Sequence, residues 1–197
     1  MGEMVFSKKR LIKNMNDVLL IPKIKEFTEY YNNLVTTYIH DEEHVGKVIG
    51  REFVGIMERF SAWKTRRIYA ALMEKDDKIG NCNTLACAFS EKLDELDIEN
   101  YILFIACKHD YDIHMANVYR LSTKWFVCDG TLDGVIAEKG EPPRHMAIPV
   151  RDYFSQKDWK TIYEIGPIKQ DGAKMQLTKV TSERYRDIVK IREQVHL

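Results

Sequence analysis

The sequence predicts an α+β fold in which helices come first and an antiparallel sheet follows. Three observations carry that reading. Up to about residue 75, apolar side chains recur three or four positions apart. Beyond residue 100 they gather in short runs rich in β-branched and aromatic residues, and two of those runs are separated only by Ser122-Thr123-Lys124. Helices and strands segregated along the chain imply an antiparallel sheet with helices laid against it.

The helical part covers residues 16–75. Ile24, Phe27, Tyr31, Leu34 and Tyr38 form one stripe and Val45, Ile49, Phe53, Ile56, Phe60 and Trp63 another, so two or three helices precede residue 80. Gly80 breaks the pattern and Asn81 is a strong N-cap residue. Leu85, Ala86, Phe89, Leu93 and Leu96 then line one face of a helix to about Asp97, with Cys82 in its first turn. Strands are expected at Tyr101–Cys107, His114–Leu121 and Trp125–Cys128, the last two as a hairpin. Gly140-Glu141-Pro142-Pro143 marks a loop, Ile148–Phe154 a further short element and Gly166–Gly172 another break. Ser182 caps a closing helix in which Tyr185, Ile188, Val189, Arg192 and Val195 keep helical spacing. One domain accounts for all 197 residues, with a core at about 60–135 and an extension over 140–197.

Composition narrows the function classes. Lys plus Arg and Asp plus Glu are 30 each, so no net field steers the chain to nucleic acid or an anionic membrane. The start Met1-Gly2-Glu3-Met4-Val5-Phe6 has no apolar signal core, and Phe6 stands where a myristoylation pattern needs Ser or Thr. Val18–Ile21 is too short to span a bilayer. Cys82, Cys87, Cys107 and Cys128 have no regular spacing and read as reduced thiols, so a soluble cytoplasmic protein is expected. No phosphate-binding Gly loop, Cys-x-x-Cys pair or basic aromatic stripe is present, and no cofactor is expected.

Cys82 stands out chemically, because a thiol at a helix N-terminus meets the positive end of the helix dipole and free amides, which favour thiolate and could hold an oxyanion. His114 leads one strand of the hairpin and Asp129 follows the other, so both side chains come within reach if their faces agree. If Asp129 faces the site, Trp125 and Val127 share its face and Cys128 points into the core. His109 and His145 as base, and Asp110, Asp112 and Asp133 as acid, are weaker choices, being mostly in polar loops. Cys87 and Cys107 lie on apolar elements and read as packed thiols.

The runs Gly80-Asn81-Cys82-Asn83-Thr84-Leu85-Ala86 with Phe89, Leu96-Asp97-Ile98, His114-Met115-Ala116-Asn117-Val118-Tyr119 and Lys124-Trp125-Phe126-Val127-Cys128-Asp129-Gly130-Thr131 resemble the transglutaminase-like branch of the papain-type thiol enzymes. That family's pattern is Gly-x-Cys with an Ala four residues on, a His leading a strand, and a Trp four residues before an Asp followed by Pro-Thr. The resemblance covers about residues 60–135, roughly two fifths of the chain. It implies a papain/transglutaminase-like core with Cys82 as nucleophile, His114 as base and Asp129 as orienting acid, acting on an amide of a peptide or protein substrate through a thioester. Protease, glutamine deamidase and acyl-transfer outcomes share this triad. Four positions depart from the pattern: Asp97 and Glu99 replace a Gly and a Pro, Ala116 an aromatic residue, and Gly130 the Pro after the acid. The polar, open entrance implied by Ala116, Asp97 and Glu99 favours hydrolysis over transfer. Trp63, Tyr69 and Asn83 are candidate oxyanion donors beside the Cys82 amide.

Two other readings come from different classes. A catalytically silent scaffold would keep the fold with a thiol of ordinary reactivity. The run His40-Asp41-Glu42-Glu43-His44 fits the His-x-x-Glu-His pattern of inverted zinc peptidases, with His40, Glu43 and His44 as the working groups, though a solvated polar turn explains the same five residues.

Overall fold

A computed structural model describes residues 15–41, 62–73, 78–107, 113–155, 159–165 and 177–179. The expected helix from Ser182, the break at 166–172 and the side chains of Trp63 and Cys107 lie outside the described residues. The chain is mixed helix and antiparallel sheet, as the sequence predicts. In order it forms α1 (Met15–Thr37), β1 (Ile39–His40), α2 (Ala62–Met73), β2 (Ile79–Gly80), α3 (Cys82–Glu95), β3 (Asn100–Cys107), β4 (Ile113–Leu121), β5 (Lys124–Cys128), α4 (Gly130–Ala137), β6 (Ile148–Pro149), α5 (Val150–Phe154), β7 (Trp159–Ile165) and β8 (Leu177–Lys179). No helix among these is long and apolar enough to cross a membrane.

The sheet runs β6-β5-β4-β3-β7-β8 with every neighbouring pair antiparallel. Half of these strands come from beyond residue 140, so the core is wider than the span 60–135 and the extension completes the sheet. Side chains alternate cleanly across it. Ile102, Phe104, Met115, Tyr119, Leu121, Phe126 and Cys128 join the cluster beneath α1, α2 and α3, where Phe27, Tyr31, Leu85, Phe89 and Leu93 are buried. Tyr101, Leu103, Ile105, Ala116, Val118, Trp125 and Val127 form the opposite face, closed by Val150 and Tyr153 of α5. Trp125 sits there with its ring 5.7 Å from that of Tyr101 and the Arg120 guanidinium 5.8 Å away, at the hairpin's turn end.

Buried polar groups tie the helical layer to the sheet. Arg66 of α2, 4% exposed, donates to Glu91 at 2.7 Å, Ser90 at 3.0 Å and Asp94 at 2.6 Å on α3. Ser90 and Asp94 in turn meet the Asn100 amide at the start of β3, at 2.7 and 2.6 Å. A guanidinium this buried persists only where carboxylates and hydroxyls satisfy it, so α2, α3 and β3 are held in one register.

The end of α3 is set by the backbone of Asp97. Asp97 has φ +53°, the left-handed conformation that usually selects glycine. Its N–H donates to the Asp94 carbonyl at 2.9 Å and that of Ile98 to Leu93 at 2.8 Å, a Schellman stop with Leu93 and Ile98 both buried. The helix therefore ends at Glu95, two residues before the expected Asp97, since a left-handed residue cannot extend it. Asp97→Gly should stabilise the protein by about 0.5 kcal/mol by relieving this residue, seen as a higher urea midpoint at unchanged slope. An unchanged or lower midpoint would contradict the assignment.

Candidate functional site

The site is built where three elements end. Asn81 precedes α3 and closes a capping box: its Oδ1 accepts from the amides of Asn83 at 3.0 Å and Thr84 at 3.3 Å, while the Thr84 hydroxyl accepts from the Asn81 amide at 2.8 Å. The box engages the Asn83 and Thr84 amides and not that of Cys82, so of the first-turn donors the Cys82 amide is the one the cap does not engage. Upstream, the parallel pair β1–β2 sets His40 against Gly80 and fixes the chain leading into the thiol. Gly80 is required there, because a Cβ would overlap the Met73 sulfur and the Thr84 hydroxyl that completes the cap.

His114 and Asp129 arrive from the open end of the β4–β5 hairpin. Asn117 pairs with Cys128; continuing that register sets Asp129 opposite Ala116, two residues from His114 on the same face. The face is that of Trp125 and Val127, while Cys128, fully buried, points under the helices, as the alternation predicts. His114 Nε2 lies 2.7 Å from Asp129 Oδ2. Asp129 has no exposed surface and stays satisfied: Tyr153 donates its hydroxyl to the same Oδ2 at 2.8 Å, and Leu132 its amide to Oδ1 at 3.3 Å, so the carboxylate is also the N-cap of α4. Capping α4 and pairing with His114 thus fall to one side chain.

Cys82 closes the set. Burial alone would lower the His114 pKa, but hydrogen bonds to Asp129 and to Cys82, joined by the charges of both, overcome it and raise the imidazole from its ordinary 6.5 to about 10. With Nε2 committed to Asp129, Nδ1 is the ring nitrogen left for the sulfur. The thiol also meets Asn83 Oδ1 at 3.6 Å and is half-buried. The other described thiols are enclosed: burial pushes Cys87 up to about 12 against the pull of Arg66, and burial holds Cys128 well above its usual range.

The remaining candidates separate by position. Asn83 stands next to the sulfur. Tyr69 is buried on α2, where burial first and then the Cys87 thiol raise its pKa, so its phenol belongs to the core around Cys87. Asp133 is no loop residue: it is a fully buried member of α4, hydrogen-bonded to His145 Nδ1 at 2.7 Å. His109, Asp110 and Asp112 lie outside the described residues. So do Glu43 and His44, whereas His40 is in strand β1, so the helical turn a zinc pair needs does not start at His40. Among the described residues no group of three His, Cys, Asp or Glu is placed to hold a metal ion.

Two tyrosines of the site were missed by sequence reasoning. Tyr153 was legible only as an apolar position in a short element. Tyr38 closes the first apolar stripe of the sequence, one residue past α1, yet its phenol is raised to about 12 by burial and by Glu138, Cys82 and Asp129, and it lies against Gly134. No protein-family model and no curated protein sequence matches the chain.

Thiol chemistry and linkage give two checks. Limiting iodoacetamide should modify Cys82 and leave Cys87 and Cys128 untouched until the chain unfolds, as read by peptide mapping; equal modification would contradict the burial pattern. Protonated His114 adds stability that is complete below pH 6.5 and is lost as pH rises to about 10. In Asp129→Asn, burial prevails and this decline should leave that window. Parallel stability–pH curves for the two proteins would contradict the coupling.

Proposed function

We propose that the protein is a cysteine-dependent enzyme of the transglutaminase-like, papain-type group, acting on amide bonds of peptides or proteins. The observation that carries this reading is the chain of contacts from a half-exposed thiol at a capped helix start, through His114, to a carboxylate with no exposed surface 2.7 Å from the far ring nitrogen. A helix bearing the thiol against an antiparallel sheet, with the base on one strand and the acid just past the end of the neighbouring strand, is consistent with a papain-like core.

In this mechanism His114 holds the proton given up by Cys82 as an imidazolium, and the sulfur attacks the amide carbon, forming a C–S bond. The oxygen of the tetrahedral intermediate is met by the Cys82 amide, with Asn83 the nearest side-chain candidate for a second donor. Collapse breaks the C–N bond as the imidazolium gives its proton to the departing amine, leaving a thioester. His114 then deprotonates water, which attacks the thioester and restores the thiol, releasing a carboxylic acid. An amine in place of water gives transfer. Asp129 holds the imidazole in one tautomer and balances its charge throughout.

Two departures from the family pattern have packing causes that leave this relay intact. A Cβ at Gly130 would meet the Phe89 ring at 2.5 Å, so the residue after the acid must be small here. Ala116 is 2% exposed in the sheet's second core. The preference for hydrolysis over transfer loses its sequence basis here, because Ala116 is enclosed in that core and Asp97 and Glu99 follow the C-terminal end of α3, at the opposite end from Cys82; both outcomes share the relay. A scaffold that retains the fold without turnover is the second reading, and it requires Cys82 to react like any free thiol.

The test is a peptide panel containing internal glutamines, assayed for backbone cleavage, ammonia release and incorporation of a primary amine. Cleavage, deamidation or amine incorporation, absent in Cys82→Ala and reduced by about three orders of magnitude or more in His114→Ala, is expected. Turnover that survives Cys82→Ala would overturn the proposal.

A further inference from the structure

A second histidine–carboxylate pair lies directly behind Asp129. Asp133 sits one helical turn further along α4 and has no exposed surface. Each of its oxygens accepts two hydrogen bonds. Oδ1 receives the Arg144 amide at 2.7 Å and His145 Nδ1 at 2.7 Å; Oδ2 receives the Tyr31 hydroxyl at 2.7 Å and the His145 amide at 2.8 Å. The other three contacts to this carboxyl group come from N–H and O–H donors, so Nδ1 is assigned as the fourth donor. A buried carboxylate is costly unless satisfied in this way, and here the donors converge from α1 and from the irregular segment that leads from α4 to β6.

That segment returns the connection to the site. The carbonyl of His145 accepts the Asp129 N–H at 3.0 Å. Asp129 is therefore held twice: its side chain by His114, Tyr153 and the Leu132 amide, and its peptide by a loop that Asp133 grips through backbone and side chain of one residue. Asp129 needs this second hold, because β5 ends at Cys128 and sheet pairing no longer fixes the backbone there.

We infer that Asp133 and His145 form a positioning pair for Asp129, fixing the peptide from which the acid reaches His114. The inference rests on the triad proposed above and adds to it two residues that do not touch the thiol. Loss of the pair lets the Asp129 backbone turn, and the carboxylate then meets the imidazole at the wrong angle. Misplacement by about an ångström costs up to roughly a hundredfold in rate. A purely structural role would instead cost stability while leaving the His114 environment alone.

The test follows the rate and pH profile of Cys82 alkylation by limiting iodoacetamide on the full chain, with a melting curve for each variant. Asp129→Asn weakens the imidazolium that partners the thiolate, so its profile moves to higher pH. His145→Ala should move the profile in the same direction and slow alkylation near neutral pH about tenfold. His145→Asn, whose amide nitrogen can stand where Nδ1 stands, should restore the rate to within about threefold. Tyr31→Phe removes a donor to Asp133 from the helix side only; it should lower the melting temperature and leave the profile unmoved. If His145→Ala does not fold, His145→Gln provides the contrast, because its longer side chain carries the amide past Asp133 and should not restore the profile. An activated wild type whose profile is the same in folded His145→Ala or His145→Gln overturns this inference alone. A wild-type Cys82 no faster than a free thiol overturns the inference together with the triad beneath it.

Discussion

A carboxylate with no access to water is the constraint on which this structure turns. Asp129 must be satisfied inside the protein, and the groups that satisfy it come from four parts of the chain: His114 from β4, Tyr153 from α5, the Leu132 amide from α4, and, at its backbone, the His145 carbonyl. A hydrogen bond to a charged group is worth about 1.5–3 kcal/mol, and stripping a partner from a buried charge costs more. The same residue thus ends β5, starts α4, holds α5 against the second face of the sheet and sets the charge that keeps His114 protonated. Fold and chemistry share one anchor.

The seam between the two faces of the sheet explains where the site lies. Alternation puts His114 and Asp129 on the face that α5 covers, whereas Cys82 arrives with the helices on the other. They can meet only at the open end of the β4–β5 hairpin, where the strands stop. Close approach there is why small residues are needed: Gly80 lets Met73 and Thr84 close over the cap, and Gly130 lets Phe89 lie against the start of α4. Neither glycine has the left-handed backbone that usually explains glycine, so steric proximity decides both.

Much of this was legible in the sequence because it depends on local pattern. The period of apolar residues located α1, α3 and the hairpin, Asn81 announced the cap, and parity sorted Cys128 from Val127. The order Gly80, Cys82, His114, Trp125, Asp129 pointed to the residues that the fold brings together, although Trp125 proves to pack at the hairpin's far end. What could not be read depends on tertiary pairing. Tyr153 and Asp133 look like ordinary members of short elements until the fold sets them beside Asp129 and His145. Asp97 ends α3 through a backbone conformation that its side chain does not advertise.

The central claim is that Cys82 forms a covalent acyl intermediate through His114, and the most direct measurement is to trap it. The protein would be mixed rapidly with p-nitrophenyl acetate, quenched in acid, and digested for mass mapping in wild type, Cys82→Ala and His114→Ala. The expected product is an acetyl group on the peptide that carries Cys82, released by hydroxylamine as a thioester should be, turning over in the wild type, formed far more slowly in His114→Ala and absent in Cys82→Ala. Acetylation spread without preference over thiols and lysines, or equally fast on Cys82 once His114 is gone, would contradict it.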